Sequence, residues 1–304
     1  MTLPLRSVSL RQLQVFLEVY QRGSITAAAQ QLHLTQPTVS LQLKRLSEQL
    51  SEPLYHLHHR RLIFTESARL LAEYTREVLR STERLEMSLA DLHQLKAGTL
   101  RIALVSTAKY FIPTIIGPFA REYPLVDLQL KIVNRAELLQ RLEQHRDDVY
   151  VLSQLPEQPA LNVHPLVANP LHLIAPDPHP LGGHPSLSLH DLSQEAFLFR
   201  EAGSGTRLAV EQCLARLDLR LTPRMVIESN EAIKQCVAAG LGLAFLSEHA
   251  IRYGGMAGIQ RLAVKELPIQ THWQFVWPKD QSPSVLAEAF LRYLTASPLA
   301  TDQG

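Results

Sequence analysis

Three short segments bring hydroxyls, amides and cations together where a strand pattern gives way to a helix pattern. Ser106 and Thr107 follow the apolar run LRIALV, with Lys109 close behind. Arg200 ends the run FLF and leads into Glu-Ala-Gly203-Ser204-Gly-Thr206, after which helical spacing begins. Asn230, preceded by Ser229, opens a third such segment. A hydroxyl or amide at a helix start, the free N–H groups behind it and a cation alongside are the chemistry of anion binding. Singly, each segment is a helix cap. Three at matching turns indicate a small-anion site, and a ligand with two anionic groups can bridge Lys109 and Arg200; the competing reading makes Arg200 a structural ion-pair partner of Glu201 or another carboxylate. Catalytic patterns point elsewhere. Gly203-Ser204-Gly205 is not the Gly-x-Ser-x-Gly of a nucleophile elbow. No segment ends in the Gly-Lys-Ser/Thr of a phosphate-binding loop. The chain reads as a binder and not an enzyme, with no cofactor or metal site.

Charge supplies a second chemistry. The 304 residues carry 30 basic and 29 acidic side chains, a net +1. Residues 1–65 hold seven basic against three acidic residues, +4, and the remainder 23 against 26, −3. A small basic head on a slightly acidic body suggests a nucleic-acid module joined to something else. The competing readings are a three-helix bundle with a solvated basic face, and a ligand-binding module without DNA function.

The elements that position these groups follow from spacing and caps. Ser9-Leu-Arg-Gln12 has the form of a capping box, with Leu10, Leu13, Leu17 and Tyr20 at helical spacing behind it. Gly23 stops that helix, and Ser24 caps the alanine-rich ITAAAQQL. Thr35 caps a third helix with Pro37 in its first turn. Val39, Leu43, Leu46 and Leu50 form its buried stripe, and Pro37, Thr38, Leu41, Lys44 and Arg45 face outward. Two helices and a tight turn make a helix-turn-helix. EPLYHLHHRRLIFT reads as a hairpin wing with Arg60 and Arg61 at its tip, suited to phosphates. His56, His58 and His59 match no closed set of metal ligands.

Residues 66–95 lack Pro and Gly and repeat Leu71, Val78, Leu85 and Leu92, with Tyr74 and Leu95 beside the seam. Such a stripe predicts a long helix that pairs with a second copy; the competing reading packs it on the chain's own body. From residue 99, strand and helix patterns alternate, predicting a parallel α/β sheet in two lobes. The expected domains are 1–65, 66–96 and 97–304, the lobes spanning about 97–168 plus 269–304, and about 169–268. Cys213 and Cys236 read as buried, reduced thiols. No signal peptide or membrane span is read, so the expected compartment is the cytoplasm.

LRQLQVFLEVYQRGSITAAAQQLHLTQPTVSLQLKRLSEQLSEPLY resembles the N-terminal winged helix-turn-helix of LysR-type transcriptional regulators. It departs from that pattern at Leu41 and Leu57, where the family has Arg, and at Ser51 and Ala68, where it has Gly. The resemblance implies DNA contacts from Thr35, Gln36, Pro37, Thr38, Ser40, Leu41, Lys44, Arg45, Arg60 and Arg61. It implies a linker helix and a two-lobed effector domain similar to periplasmic binding proteins. Further segments, notably Ser106-Thr107-Ala-Lys109-Tyr-Phe and Asn134-Arg135, resemble the regulators of Calvin-cycle (RuBisCO) operons. The effector residues so implied are Ser106, Thr107, Lys109, Asn134, Arg135, Arg200, Gly203, Ser204, Thr206 and Asn230. The implied effector is a phosphorylated metabolite or NADPH. The implied partners are a double-stranded operator, RNA polymerase and further copies of the chain, as a dimer and then a homotetramer.

Overall fold

The computed structural model describes residues 7–58, 61–92, 97–157, 160–184 and 187–296. The chain divides into two compact units, residues 1–89 and 90–304.

In the first unit, helix α1 (Leu10–Arg22) starts at a reciprocal capping box. Ser9 Oγ accepts from the Gln12 N–H at 3.2 Å, and Gln12 Oε1 accepts from the Ser9 N–H at 2.9 Å. Gly23, at φ 63°, ends it in the left-handed region where a β-carbon is costly. Ser24 caps α2 (Ile25–Gln31), and Thr35 caps α3 (Gln36–Leu50). Val15, Phe16, Val19, Ala28, Ala29, Val39, Leu43 and Leu46 form one buried core, and the small alanines let α2 approach closely. A hairpin follows, β1 (Tyr55–His58) antiparallel to β2 (Arg61–Phe64). Thr65 Oγ1 then accepts from the Ala68 N–H at 3.2 Å and starts α4 (Glu66–Leu92).

Helix α4 spans about 40 Å at ~1.5 Å per residue. Its first turns belong to the head: Ala68 and Ala72 are buried in the head's core and Leu71 packs against it. Leu71 is therefore not part of an open seam with Val78 and Leu85. Leu70, Tyr74, Val78, Leu85 and Leu89 are exposed along the helix. The Leu92 side chain and Leu95 lie outside the described residues.

In the second unit, one sheet is built from β3 (Gly98–Val105), β4 (Val126–Val133), β5 (Val149–Leu152) and β6 (Leu161–Ala168). Helices α5 (Ile112–Glu122) and α6 (Arg135–Glu143) connect them. The second sheet takes β7 (Leu171–Pro176), β8 (Phe197–Phe199), β9 (Pro223–Val226), β10 (Leu243–Ser247) and β11 (Ile259–Leu262), with α7 (Gly205–Arg216), α8 (Asn230–Ala238) and α9 (Glu248–Gly254). The chain returns to the first sheet with β12 (His272–Pro278) and ends in α10 (Val285–Ala296). Strand orders are β4-β3-β5-β12-β6 and β11-β7-β10-β8-β9.

The sequence pattern predicts parallel sheets; both are mixed. β3 is parallel to β4 and β5, and β8 to β9 and β10. β12 and β7 run antiparallel to both neighbours. Each is the strand that follows a crossover from the other sheet, so it enters from the opposite end. Side chains alternate in the second sheet. Leu173, Phe197, Phe199, Leu243 and Phe245 share a core with α7, whereas Ile174, Leu198, Ala244 and Leu246 pack against α8 and α9. The two crossovers hold each other: the Asn169 N–H donates to Thr271 O at 2.7 Å and the Leu171 N–H to Ile269 O at 2.9 Å. Asn169 Nδ2 adds a bond to Thr271 Oγ1 at 2.8 Å, and Ser247 Oγ donates to Asn169 Oδ1, all buried.

Candidate nucleic-acid interface and ligand cleft

On α3 the cap is as the sequence spells it. Thr35 Oγ1 accepts from the Thr38 N–H at 3.4 Å and meets Thr38 Oγ1 at 2.8 Å. Because Val39, Leu43, Leu46 and Leu50 are buried, the residues between them turn outward. Thr35, Gln36, Pro37, Leu41, Lys44 and Arg45 are exposed, and Thr38 and Ser40 are half-buried. Lys44 lies 3.8 Å from Glu48, a long, exposed pair that leaves its charge available. Arg61 is exposed at the start of β2, beside the exposed His56, Leu57 and His58. Arg60 and His59 fall outside the described residues. Leu57 is 70% exposed, an apolar side chain on a basic wing.

The second site lies between the two sheets, where parallel strands end. β3 delivers Ser106 and Thr107, β4 delivers Asn134 and Arg135, β5 delivers Ser153, and β8 delivers Arg200 and Glu201. The N-terminus of α7 adds Ser204, Gly205 and Thr206. In each sheet the first strand lies between the next two parallel ones, the switch point at which α/β folds bind ligands. The cavity is about 20 Å³, room for about one water. Trp273 closes one wall. Ser204 Oγ accepts from the Arg207 N–H at 3.1 Å, and no described hydrogen bond uses the N–H groups of Gly205 and Thr206. Gly205 is held small: a β-carbon there would come within 2.9 Å of Ser153 Oγ.

Arg200 is 4% exposed and fully engaged. Its Nε and Nη2 donate to Glu201 Oε2 and Oε1 at 2.8 and 2.9 Å, a bidentate pair. Nη1 donates to Asn230 Oδ1 at 2.6 Å and Thr107 Oγ1 at 3.3 Å, and Nη2 reaches Ser106 Oγ at 3.4 Å. Arg135 differs. Its Nη2 donates to the Gln154 carbonyl at 3.1 Å, its Nε is buried without a partner, and burial lowers its pKa. Asn134 Oδ1 accepts from the Glu137 N–H at 2.9 Å, capping α6. Lys109, Gly203 and Asn230 do not line this cavity. Lys109 instead pairs with Glu231 at 2.9 Å, to which Tyr110 also donates a hydrogen bond. Burial tends to raise the Glu231 carboxyl, but Tyr110 and Lys109 outweigh it and hold it at about 2. Val105, Ser153, Glu201, Gly205 and Trp273 are lining residues absent from the expected set. Ser153 carries the same signal as Ser106, a hydroxyl just past an apolar strand; Trp273 carries none.

A winged helix-turn-helix with a basic outer face and, in the same chain, a two-lobed α/β body with an interlobe cleft define a DNA-binding regulator that answers to a small ligand. Residues 10–69 match the model of the bacterial regulatory helix-turn-helix proteins of the lysR family, and residues 93–298 match the LysR substrate binding domain. The chain belongs to the LysR family of transcriptional regulators. It is 38% identical over 293 residues to the HTH-type transcriptional activator CmpR of a Synechocystis strain, covering 96% of each chain. It is 36% identical to the RuBisCO operon transcriptional regulator of Acidithiobacillus ferrooxidans, covering 99% of this chain and 97% of that one. The solved regulatory domain of Synechocystis CcmR in complex with 2-PG superposes with TM-score 0.63 at 38% identity, covering 67% of this chain and 98% of that one. These relatives are named as regulators, a non-enzymatic role. Among the described residues, no helix is long and apolar enough to cross a membrane.

Proposed function

We propose that this chain controls carbon-fixation genes in response to a small phosphorylated metabolite of the 2-phosphoglycolate class. The observation that carries the effector reading is Arg135: a half-buried guanidinium whose Nε lacks a partner, at the mouth of a cleft with an open helix N-terminus. A phosphate oxygen supplies the missing acceptor, and the Gly205 and Thr206 N–H groups with Ser153 and Ser204 hold the rest. The relatives' names support the gene class, and the ligand of the CcmR domain supports the metabolite class. In this reading residues 1–65 read a double-stranded operator and 66–96 pair two copies. Residues 97–304 bind effector between lobes of about 97–168 plus 269–304 and about 169–268. Dimers join as tetramers that work with RNA polymerase in the cytoplasm.

Calorimetry with 2-phosphoglycolate, phosphoenolpyruvate, a sugar bisphosphate and NADPH tests the effector reading. Arg135→Ala removes a charged hydrogen-bond donor, a loss of about 1.5–3 kcal/mol or roughly 10–150-fold in affinity. Operator binding without effector should be unchanged. Wild-type affinity in that variant would move the anion away from Arg135.

A further inference from the structure

The cavity holds about one water, so the lobes must part for an effector to enter. The contacts that hold them closed therefore oppose its entry. Among the described residues, three side-chain bridges at the cleft are long and neutral at one or both ends: Arg200 to Thr107 at 3.3 Å, Arg200 to Ser106 at 3.4 Å, and Asn230 to Thr107 at 3.2 Å. Another is charged at both ends. Glu231, in the first turn of α8, accepts from Lys109 Nζ at 2.9 Å and from the Tyr110 hydroxyl, both on the turn that follows β3. Ser229 Oγ donates to the other carboxylate oxygen at 3.2 Å and fixes its direction.

A second ammonium faces the same place. Lys234 is 6% exposed and donates to the Ala250 carbonyl at 3.0 Å. Its Nζ lies 5.9 Å from the Tyr110 ring centre, and Lys109 Nζ lies 5.2 Å from the same centre. Two ammonium groups thus share one ring, and Glu231 is the carboxylate that offsets their repulsion. Without it, Lys109 on one lobe and Lys234 on the other push the lobes apart.

We propose that Glu231 is a positioning residue: by clasping Lys109 and Tyr110 it holds the lobes closed and sets how readily an effector enters. Lys109 is then a structural cation of the clasp and not an effector contact. The entry part of this inference rests on the effector reading above; the closure part stands without it.

A charge swap in the full-length protein tests the clasp, in a Trp277→Phe background so that Trp273, in the cavity wall, reports opening. Acrylamide quenching of Trp273 is read without ligand, and association of 2-phosphoglycolate is read by stopped flow. Glu231→Lys and Lys109→Glu should each raise quenching and speed association by about 3–10-fold, since a partly exposed pair is worth about 1 kcal/mol. The double variant, with the pair reversed, should return both readouts to within about 2-fold of the parent. Glu231→Gln, close to isosteric, should shift both in the same direction by about 2–3-fold and serves if a reversed charge prevents folding. If Lys109→Glu abolishes binding, leaves quenching unchanged and is not rescued by the swap, Lys109 touches the effector and the clasp is overturned. No change in either readout in any variant overturns it equally. If the parent does not bind 2-phosphoglycolate, the effector reading fails and quenching alone decides the clasp.

Discussion

Leu41 is 48% exposed on the outer face of α3, between Pro37 and the cations Lys44 and Arg45. An apolar side chain there gains nothing from water, whereas a thymine methyl in the major groove gives it a partner. Leu41→Ala should therefore cost about 1–3 kcal/mol at one base position and little elsewhere. Competition binding against single-base operator variants measures this, and an even loss across all variants would remove base readout from Leu41. At this scale, local chemistry was legible and partner choice was not. Ser9, Ser24, Thr35, Ser204 and Ser229 all cap the helices expected of them, because a cap bonds within three residues. The pairing of Lys109 with Glu231 crosses more than a hundred residues and depends on how two lobes meet. Arg200 admits two readings from sequence, a cation for the ligand or an ion-pair partner of Glu201; its five N–H groups go to Glu201, Asn230, Thr107 and Ser106. Arg135 has fewer partners, and the proposed effector contact rests on it.

Among the elements, α4 shows how one helix serves two purposes. Its first turns bury Ala68 and Ala72 in the head, whereas Tyr74, Val78, Leu85 and Leu89 remain exposed in a row. A row of that kind is unstable in water unless a second helix covers it. Leu85→Glu puts a charge in the row and should dissociate the paired helices without unfolding either unit. Light scattering at micromolar protein should report half the mass; an unchanged mass would mean that the row is not the dimer seam. The pattern of the body was less complete in the sequence than the head was. β6 and β11 carry no clear strand pattern in the sequence. β6 holds Pro165, which breaks a strand pattern but is tolerated at a sheet edge, and β6 is an edge strand. The antiparallel direction of β7 and β12 is not legible in the sequence, because alternation along a chain says nothing about which sheet a strand joins.

For the whole molecule, the distribution of charge decides how it meets DNA. Residues 1–65 carry +4 and the remainder −3, so a net of +1 hides a basic head on an acidic body. The body gains nothing from a phosphate backbone, and orientation follows: the head approaches and the body is repelled. Affinity for operator should then fall steeply with salt, each phosphate contact adding about −0.9 to the slope of log K against log salt. Arg45 and Arg61 are exposed, and neither has a carboxylate partner among the described residues. Arg45→Gln and Arg61→Gln should each make the slope shallower by about one while weakening all duplexes alike. Arg220→Gln, exposed on the body, should leave the slope as it is. Fluorescence anisotropy with one operator and one unrelated duplex over a salt series gives all three slopes. Equal slopes in the three variants would place Arg45 and Arg61 off the backbone, and the charge asymmetry would then serve solubility instead of docking.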